Sequence, residues 1–257
     1  MKLSYENQLT NWVNKEKVGV SLLKSSGTLM YEHGIELVLF RNKLLEIGVS
    51  ELLSLFEYAN NELERKTTID DALELANSII KMNLPPSKID IGLLTAEYNE
   101  GEIKDYDKFL FSKLNHINSK KNHKRIAKDV ILYGFGRIGR LVARELIKQA
   151  GTGQQLRLKA IVVRNLTDEQ IIKRTDLFRN DSVHGIFKGV VKVDLKNQSM
   201  VANGQVIKFI SGKNPEDIDY TKHDINNALL IDNTGAFTTK EDLSRHLNAK
   251  GVNKVLL

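Results

Sequence analysis

The sequence predicts an α/β protein: an open, mostly parallel sheet over residues 129–257, preceded by a small, mainly α-helical domain over residues 1–118. Three observations predict it. Short apolar runs alternate with helical segments through the second half. The first of those runs enters a glycine-rich turn and then an amphipathic helix. The first half carries helical apolar spacing and little alternation of strand and helix. Ser119-Lys120-Lys121-Asn122-His123-Lys124-Arg125-Ile126-Ala127-Lys128 lies between them, a charge run without apolar periodicity that reads as a basic linker over 119–128.

In the first half, helical spacing appears in Leu9-Trp12-Val13, in Leu52-Leu53-Leu55-Phe56-Tyr58-Ala59 and in Ile69-Ala72-Leu73-Leu75-Ala76-Ile79-Ile80. Thr68 before Asp70 and Asp71 suits the start of a helix over 69–82, since a hydroxyl caps the free N–H groups and acids favour the first turn. Pro85-Pro86 bars that helix from continuing. Glu36 to Arg41 is ambiguous between strand and helix, and Asp105 to Leu114 gives one more short helix. Oligomerisation or docking is the role expected of this domain.

In the second half, Val130-Ile131-Leu132 reads as a strand buried on both faces. It runs into Gly134-Phe135-Gly136-Arg137-Ile138-Gly139 and a helix with Ile138, Leu141, Val142, Glu145 and Leu146 along one side, Glu145 being the polar intrusion. Leu156 to Val163 reads as the second strand and Asp168 to Phe178 as a helix. Val190–Asp194 and Gln205–Ile210 read as a hairpin turned at Ala202-Asn203-Gly204. Ala228 to Asp232 is another buried strand, Thr239 to Asn248 a helix capped by Thr239, and Val252 to Leu257 the opening of a further strand.

The G-x-G-x-x-G turn between strand and helix is the mark of a Rossmann-type dinucleotide site, and its glycines have separable jobs. Gly134 permits the sharp turn, Gly136 lacks the Cβ that would hold backbone away from a pyrophosphate, and Gly139 lets helix and sheet approach. The helix then presents unpaired N–H groups to the phosphates. Such folds usually place an acid at the end of the second strand, where it accepts hydrogen bonds from the adenosine ribose. Here that position offers Arg164 and Asn165. An acid about 4 Å from a ribose 2′-phosphate would be repelled by roughly 1–4 kcal/mol. Its absence predicts that NADP is tolerated beside NAD or preferred to it, with Arg164 able to pair with the phosphate. In the competing reading Arg164 faces solvent and Asp168 takes the acid's role.

Beyond the turn, the chain resembles the glyceraldehyde-3-phosphate dehydrogenase family. The resemblance rests on Tyr133-Gly134-Phe135-Gly136-Arg137-Ile138-Gly139-Arg140, Asp181-Ser182-Val183-His184-Gly185, Asn203-Gly204, Asn214-Pro215 and Asn233-Thr234-Gly235-Ala236-Phe237-Thr238-Thr239, in the family's order across 129–257. It implies that Gly134, Phe135, Gly136, Arg137, Ile138 and Gly139 hold the pyrophosphate, and that Asn233, Thr234, Gly235 and Phe237 lie along the adenosine and ribose. Arg137 reads either as a phosphate ligand or as a solvated arginine at a helix start. Long helical extensions before this domain occur in some bacterial relatives.

The family's reaction uses a cysteine that forms a thiohemiacetal and then a thioester, with a histidine to activate it. This sequence has no cysteine, and the family's catalytic residues would follow position 257. Ser182, Thr234, Thr238, Thr239, His184, His223 and His246 are the substitutes available, and none sits in a nucleophile elbow. His184 reads as a structural loop histidine. No catalytic residue and no metal-ligand cluster is expected. The final strand signal suggests a fragment, the product of a split gene or a shortened polypeptide. The expected partners are a nicotinamide dinucleotide, further copies of the chain, or the missing catalytic half.

The net charge of +6 would draw phosphate-bearing ligands by long-range attraction. No aromatic residues interleave the basic linker, which argues against nucleic-acid binding. No apolar run is long enough to cross a membrane, and no signal peptide is visible. A cytoplasmic location is the expectation. Two functions remain open: the cofactor-binding half of a phosphorylating aldehyde dehydrogenase, inactive alone, or a non-catalytic dinucleotide-binding or interaction module.

Overall fold

The computed structural model describes residues 4–45, 47–118, 127–149 and 156–257. They divide into two compact units between residues 118 and 127. Most of the basic linker, residues 119–126, lies outside the described residues.

The first unit opens with α1 (Tyr5–Thr28), whose N-cap Ser4 accepts from the Asn7 N–H. A turn of π-helix ends it at Gly34, where φ is +70°. Strand β1 (Ile35–Leu39) and the short β2 (Asn42–Lys43) pair antiparallel, and α2 (Val49–Asn61) follows. Helix α3 (Ile69–Lys81) starts at Thr68, whose hydroxyl accepts from Asp71 N–H. Strand β3 (Ser87–Asp90) pairs parallel with β1, and α4 (Ile91–Glu100) and α5 (Tyr106–Asn118) complete the unit. Leu22, Leu37, Leu52, Phe56, Leu75 and Ile79 meet in one core.

This unit is mainly helical, as its spacing predicts, but the ambiguous Glu36–Arg41 divides: Glu36–Leu39 is strand, with β3 as its parallel partner, and Phe40 and Arg41 (φ +46° and +73°) turn the chain into β2. The Leu9-Trp12-Val13 spacing does mark a helix, though not a core face: Trp12 is 40% exposed and its indole N–H donates to Glu16.

The second unit begins with β4 (Lys128–Tyr133), α6 (Arg137–Lys148), β5 (Leu156–Val163) and α7 (Asp168–Arg179). The two-residue pair β6 (Asn180–Asp181) and β7 (Gly185–Ile186) closes a loop. Then come β8 (Val191–Asp194), β9 (Ser199–Ala202), β10 (Gln205–Ser211), β11 (Ala228–Asp232), α8 (Lys240–Ser244) with a 3₁₀ turn over Arg245–Asn248, and β12 (Val252–Leu256). Seven strands form one sheet in the order β12-β11-β4-β5-β10-β9-β8. The first five are parallel, and β9 and β8 are antiparallel.

Two details of the sequence reading change. Val191–Asp194 does not pair with Gln205–Ser211, because β9 lies between them. Asn203 (φ +48°) and Gly204 (φ +80°) form a two-residue turn, and so tight a turn needs its partner strand immediately before it. On α6, the buried polar residue is Arg144, 7% exposed, whereas Glu145 is exposed and pairs with Lys148. Arg144 donates from Nη2 to the carbonyls of Phe178 (2.6 Å) and Gly185 (3.0 Å), and lies over the Phe178 and Phe187 rings. Ile138 is 59% exposed; Gly139, Ala143, Leu146 and Ile147 form the buried side instead.

Candidate dinucleotide-binding site

After β4 the chain moves to β5 on one side, and it returns to β11 on the other. The carboxyl ends of β4 and β11 therefore sit where strand order reverses, the place where open α/β sheets bind ligands. Tyr133 and Asp232 are paired in register there, and the Asn233 N–H donates to the Tyr133 carbonyl (2.8 Å). A 270 Å³ cleft opens at this point, bounded by Gly134, Thr234 and Phe237 and by the ends of β5 and β10.

The glycine turn fits a phosphate group. Gly134 has φ +94°, and a Cβ there would meet the Thr234 side chain at 2.8 Å. A Cβ on Gly139 would lie 2.5 Å from the Gly134 carbonyl oxygen. Gly136 differs: a Cβ there would meet nothing within 4 Å, so the glycine leaves open space at the helix start. No side chain caps α6 at Gly136, which leaves its first N–H groups for a ligand.

The opposite wall is organised by Asp232, 3% exposed. Its Oδ1 accepts from the Thr234 N–H and hydroxyl, both at 2.7 Å, and its Oδ2 faces His246 Nε2 at 2.9 Å. Burial pushes the Asp232 carboxyl up, but hydrogen bonds from His246 and Thr234 more than reverse this and hold it below its ordinary value. Burial, with the Asp232 charge behind it, raises the Tyr133 phenol. Gly235, at φ +68°, completes the turn, while Phe237 meets the rings of Tyr133 and His246 edge to face.

The structure thus brings Gly134, Phe135, Thr234 and Phe237 to one cleft with Arg164. Phe135 contributes backbone there, since its ring is buried against Phe178 and Phe209. Gly136, Arg137 and Ile138 are exposed at the α6 start, with Gly139 buried behind them. Asn165 is exposed beyond β5, and Asn233 holds the β11 end by donating to the Ile231 carbonyl. Asp168, the alternative ribose acid, opens α7 and does not line the cleft.

Two charged cleft residues escaped the sequence reading, Arg174 and Lys213. Arg174 lies between Ile171 and Phe178 on the buried side of α7, and an arginine at a core-facing helical position was the signal available. The substitutes for a nucleophile are dispersed. Thr239 caps α8 through the Asp242 N–H, His246 is buried against Asp232, and His184 Nδ1 faces Asp181 at 3.1 Å. Arg140 and the N–H groups of His184 and Val183 hold the Asp181 carboxyl well below the usual carboxylate range. The Asp-Ser-x-His-Gly segment is thereby a braced loop.

Fold and cleft together define a nucleotide-binding domain of the dehydrogenase class. Residues 128–240 match the family model described as the glyceraldehyde 3-phosphate dehydrogenase NAD binding domain. Over those residues the chain is similar to the cofactor-binding domain of the glyceraldehyde-3-phosphate dehydrogenases. It is 36% identical over 218 residues to a glyceraldehyde-3-phosphate dehydrogenase-like protein of Pseudomonas aeruginosa, covering 83% of this chain and 47% of that relative. An alignment of that length reaches into the first unit. Glyceraldehyde-3-phosphate dehydrogenase of Lactococcus lactis is 34% identical over 124 residues, 48% of this chain and 33% of the relative. Glyceraldehyde-3-phosphate dehydrogenase 2 of Trichormus variabilis is 34% identical over 128 residues, 50% and 35% respectively. The chain spans about half the length, or less, of these relatives. Among the described residues, no helix is long and apolar enough to cross a membrane.

Proposed function

We propose that this chain is the cofactor-holding part of a phosphorylating aldehyde dehydrogenase of the glyceraldehyde-3-phosphate type, able to take NAD or NADP, and that it does not turn over substrate alone. The observation that carries the reading is the open space at Gly136 beside the uncapped start of α6, at the point where strand order reverses. When bound, a nicotinamide dinucleotide accepts a hydride from the substrate carbon. Gly134 and Gly139 hold the turn, Gly136 admits the pyrophosphate, and Arg137, at the same helix start, is placed to meet its charge. Asn233, Thr234, Gly235 and Phe237 form the wall for the adenosine ribose, shaped by Asp232.

Arg164 and Asn165 stand where a ribose-binding acid would otherwise reject a 2′-phosphate, which supports tolerance of NADP. With no cysteine in the sequence, the thiol that forms the family's thiohemiacetal has no candidate here. The change from helical spacing to alternating strand and helix signals, and the basic stretch between them, support a domain division near residues 119–128.

Calorimetric titration of the full chain with NAD and NADP, beside Gly136→Val, tests the reading. Saturable binding that is lost in the variant is the expected result, with no aldehyde-dependent reduction of either cofactor. Binding unchanged in Gly136→Val would refute the placement of the pyrophosphate.

A further inference from the structure

The charged residues lining the cleft are Arg164, Arg174 and Lys213, all cations, with no carboxylate among the lining residues. They come from three elements. Arg164 follows β5 and Lys213 follows β10. The ends of these adjacent strands are pinned together, because the Gly212 N–H donates to the Val163 carbonyl (3.2 Å) and the Ser211 hydroxyl donates to the Arg164 carbonyl (3.1 Å). Arg174 reaches the same cleft from α7. Among the described residues none of the three forms an ion pair.

Arg174 is the unusual member. Its Nε is buried and has no hydrogen-bond partner. A buried guanidinium N–H without an acceptor is costly, and native proteins leave few such groups unsatisfied. Burial also lowers the Arg174 pKa, in the absence of any acid that would restore it. Three cations without ion-pair partners converging on one cleft, one of them with a buried donor that no acceptor meets, form a binding site suited to an anion.

We infer that Arg174, together with Lys213 and Arg164, forms an anion subsite for the phosphate on the adenosine ribose 2′-hydroxyl, so that the chain prefers NADP over NAD. The inference rests on the cofactor reading above and deepens it. Loss of the acid at the β5 end alone would give indifference between the two cofactors, whereas an added cation from α7 gives selection. A phosphomonoester carries close to two negative charges at neutral pH and three acceptor oxygens, enough to engage all three side chains.

The test is calorimetry of the full chain with NADP, NAD, 2′-AMP, 5′-AMP and inorganic phosphate at one ionic strength, repeated with Arg174→Met and Lys213→Met. The inference expects NADP to bind at least about tenfold more tightly than NAD, and 2′-AMP more tightly than 5′-AMP or inorganic phosphate. Arg174→Met should bring the NADP to NAD ratio toward one and make NADP binding less steeply dependent on salt. The wild-type ratio decides the matter even where a variant melts early. Saturable NAD binding without preference for NADP would overturn this inference alone, as would an Arg174→Met ratio equal to wild type. Binding of neither cofactor would overturn it together with the cofactor reading. Inorganic phosphate binding as well as 2′-AMP would make the cations a general anion site and overturn the assignment to the ribose.

Discussion

Gly136 and Gly139 lie in one turn, yet the structure predicts opposite consequences for adding a methyl group to each. At Gly136 an added Cβ meets nothing within 4 Å, and φ is −75°, a value that alanine adopts freely. Gly136→Ala should therefore cost only roughly 0.5–1 kcal/mol, the difference between glycine and alanine at a helix N-cap. The same Cβ occupies the space through which a pyrophosphate approaches the α6 amides. Losing one or two charge-assisted hydrogen bonds at about 1.5–3 kcal/mol each weakens binding by roughly tenfold or more. At Gly139 the Cβ would lie 2.5 Å from a backbone oxygen, that of Gly134, whose own N–H is held by the Val162 carbonyl at 3.0 Å. Relieving that clash costs about 1–3 kcal/mol, against about 1 kcal/mol gained in helix propensity. Gly139→Ala should lower the urea midpoint and cofactor affinity together, whereas Gly136→Ala should act chiefly on affinity. The assay is paired: urea unfolding followed by circular dichroism, and calorimetry with NADP. A Gly136→Ala protein that binds like wild type, or that unfolds as early as Gly139→Ala, would refute the reasoning.

Three further outcomes follow from the described contacts. Arg144→Met removes the donors to the carbonyls of Phe178 and Gly185, and should destabilise the second unit by about 2–3 kcal/mol; a urea midpoint equal to wild type would disprove that role. Because the folded Asp232 carboxyl lies below its ordinary value, its stabilisation is present above about pH 4 and is lost as pH falls through the folded pKa. Melting temperatures should thus fall more steeply below pH 4 in wild type than in Asp232→Asn, and parallel curves would contradict the assignment. Asn165→Asp restores a carboxylate at the β5 end, and should strengthen NAD binding while weakening NADP by about fivefold or more; an unchanged ratio would show that residue 165 does not face the ribose.

Most of the second unit was legible because its signals are local. Buried parallel strands read as apolar runs, and the Leu156–Val163 and Ala228–Asp232 limits follow from where those runs stop. The glycine turn and the Thr68 and Thr239 caps are likewise short-range patterns. What escaped depends on distant partners. Strand β3 is visible only once β1 lies beside it, and Ser199–Ala202 is a strand because the Asn203-Gly204 turn folds it onto Gln205–Ser211. Arg144 and Glu145 are adjacent charged residues on one helix, and only the carbonyls of Phe178, His184 and Gly185 decide which is buried. Similarly, the site's glycines announce themselves in sequence, whereas Arg174 joins the cleft from a helix that carries no nucleotide motif.

The balance of charge at the cleft turns on what its nearest carboxylates are already doing. Asp232 stands at the end of β11, beside the wall assigned to the ribose, yet both of its oxygens are engaged, one by Thr234 and the other by His246. Swinging it toward a ribose diol would orphan the Thr234 N–H and leave His246, already without a partner for Nδ1, unpaired in the core. Asp168 opens α7, where the positive end of the helix favours it, and it does not line the cleft. Glu216 is held by Arg245 through two hydrogen bonds, at 2.8 and 3.2 Å. Each acid is committed to the fold, while Arg164, Arg174 and Lys213 are not. The charged residues that line the cleft are accordingly all cations, and if the proposed ribose placement holds, a cofactor with an added phosphate would gain from them what a bare diol would not.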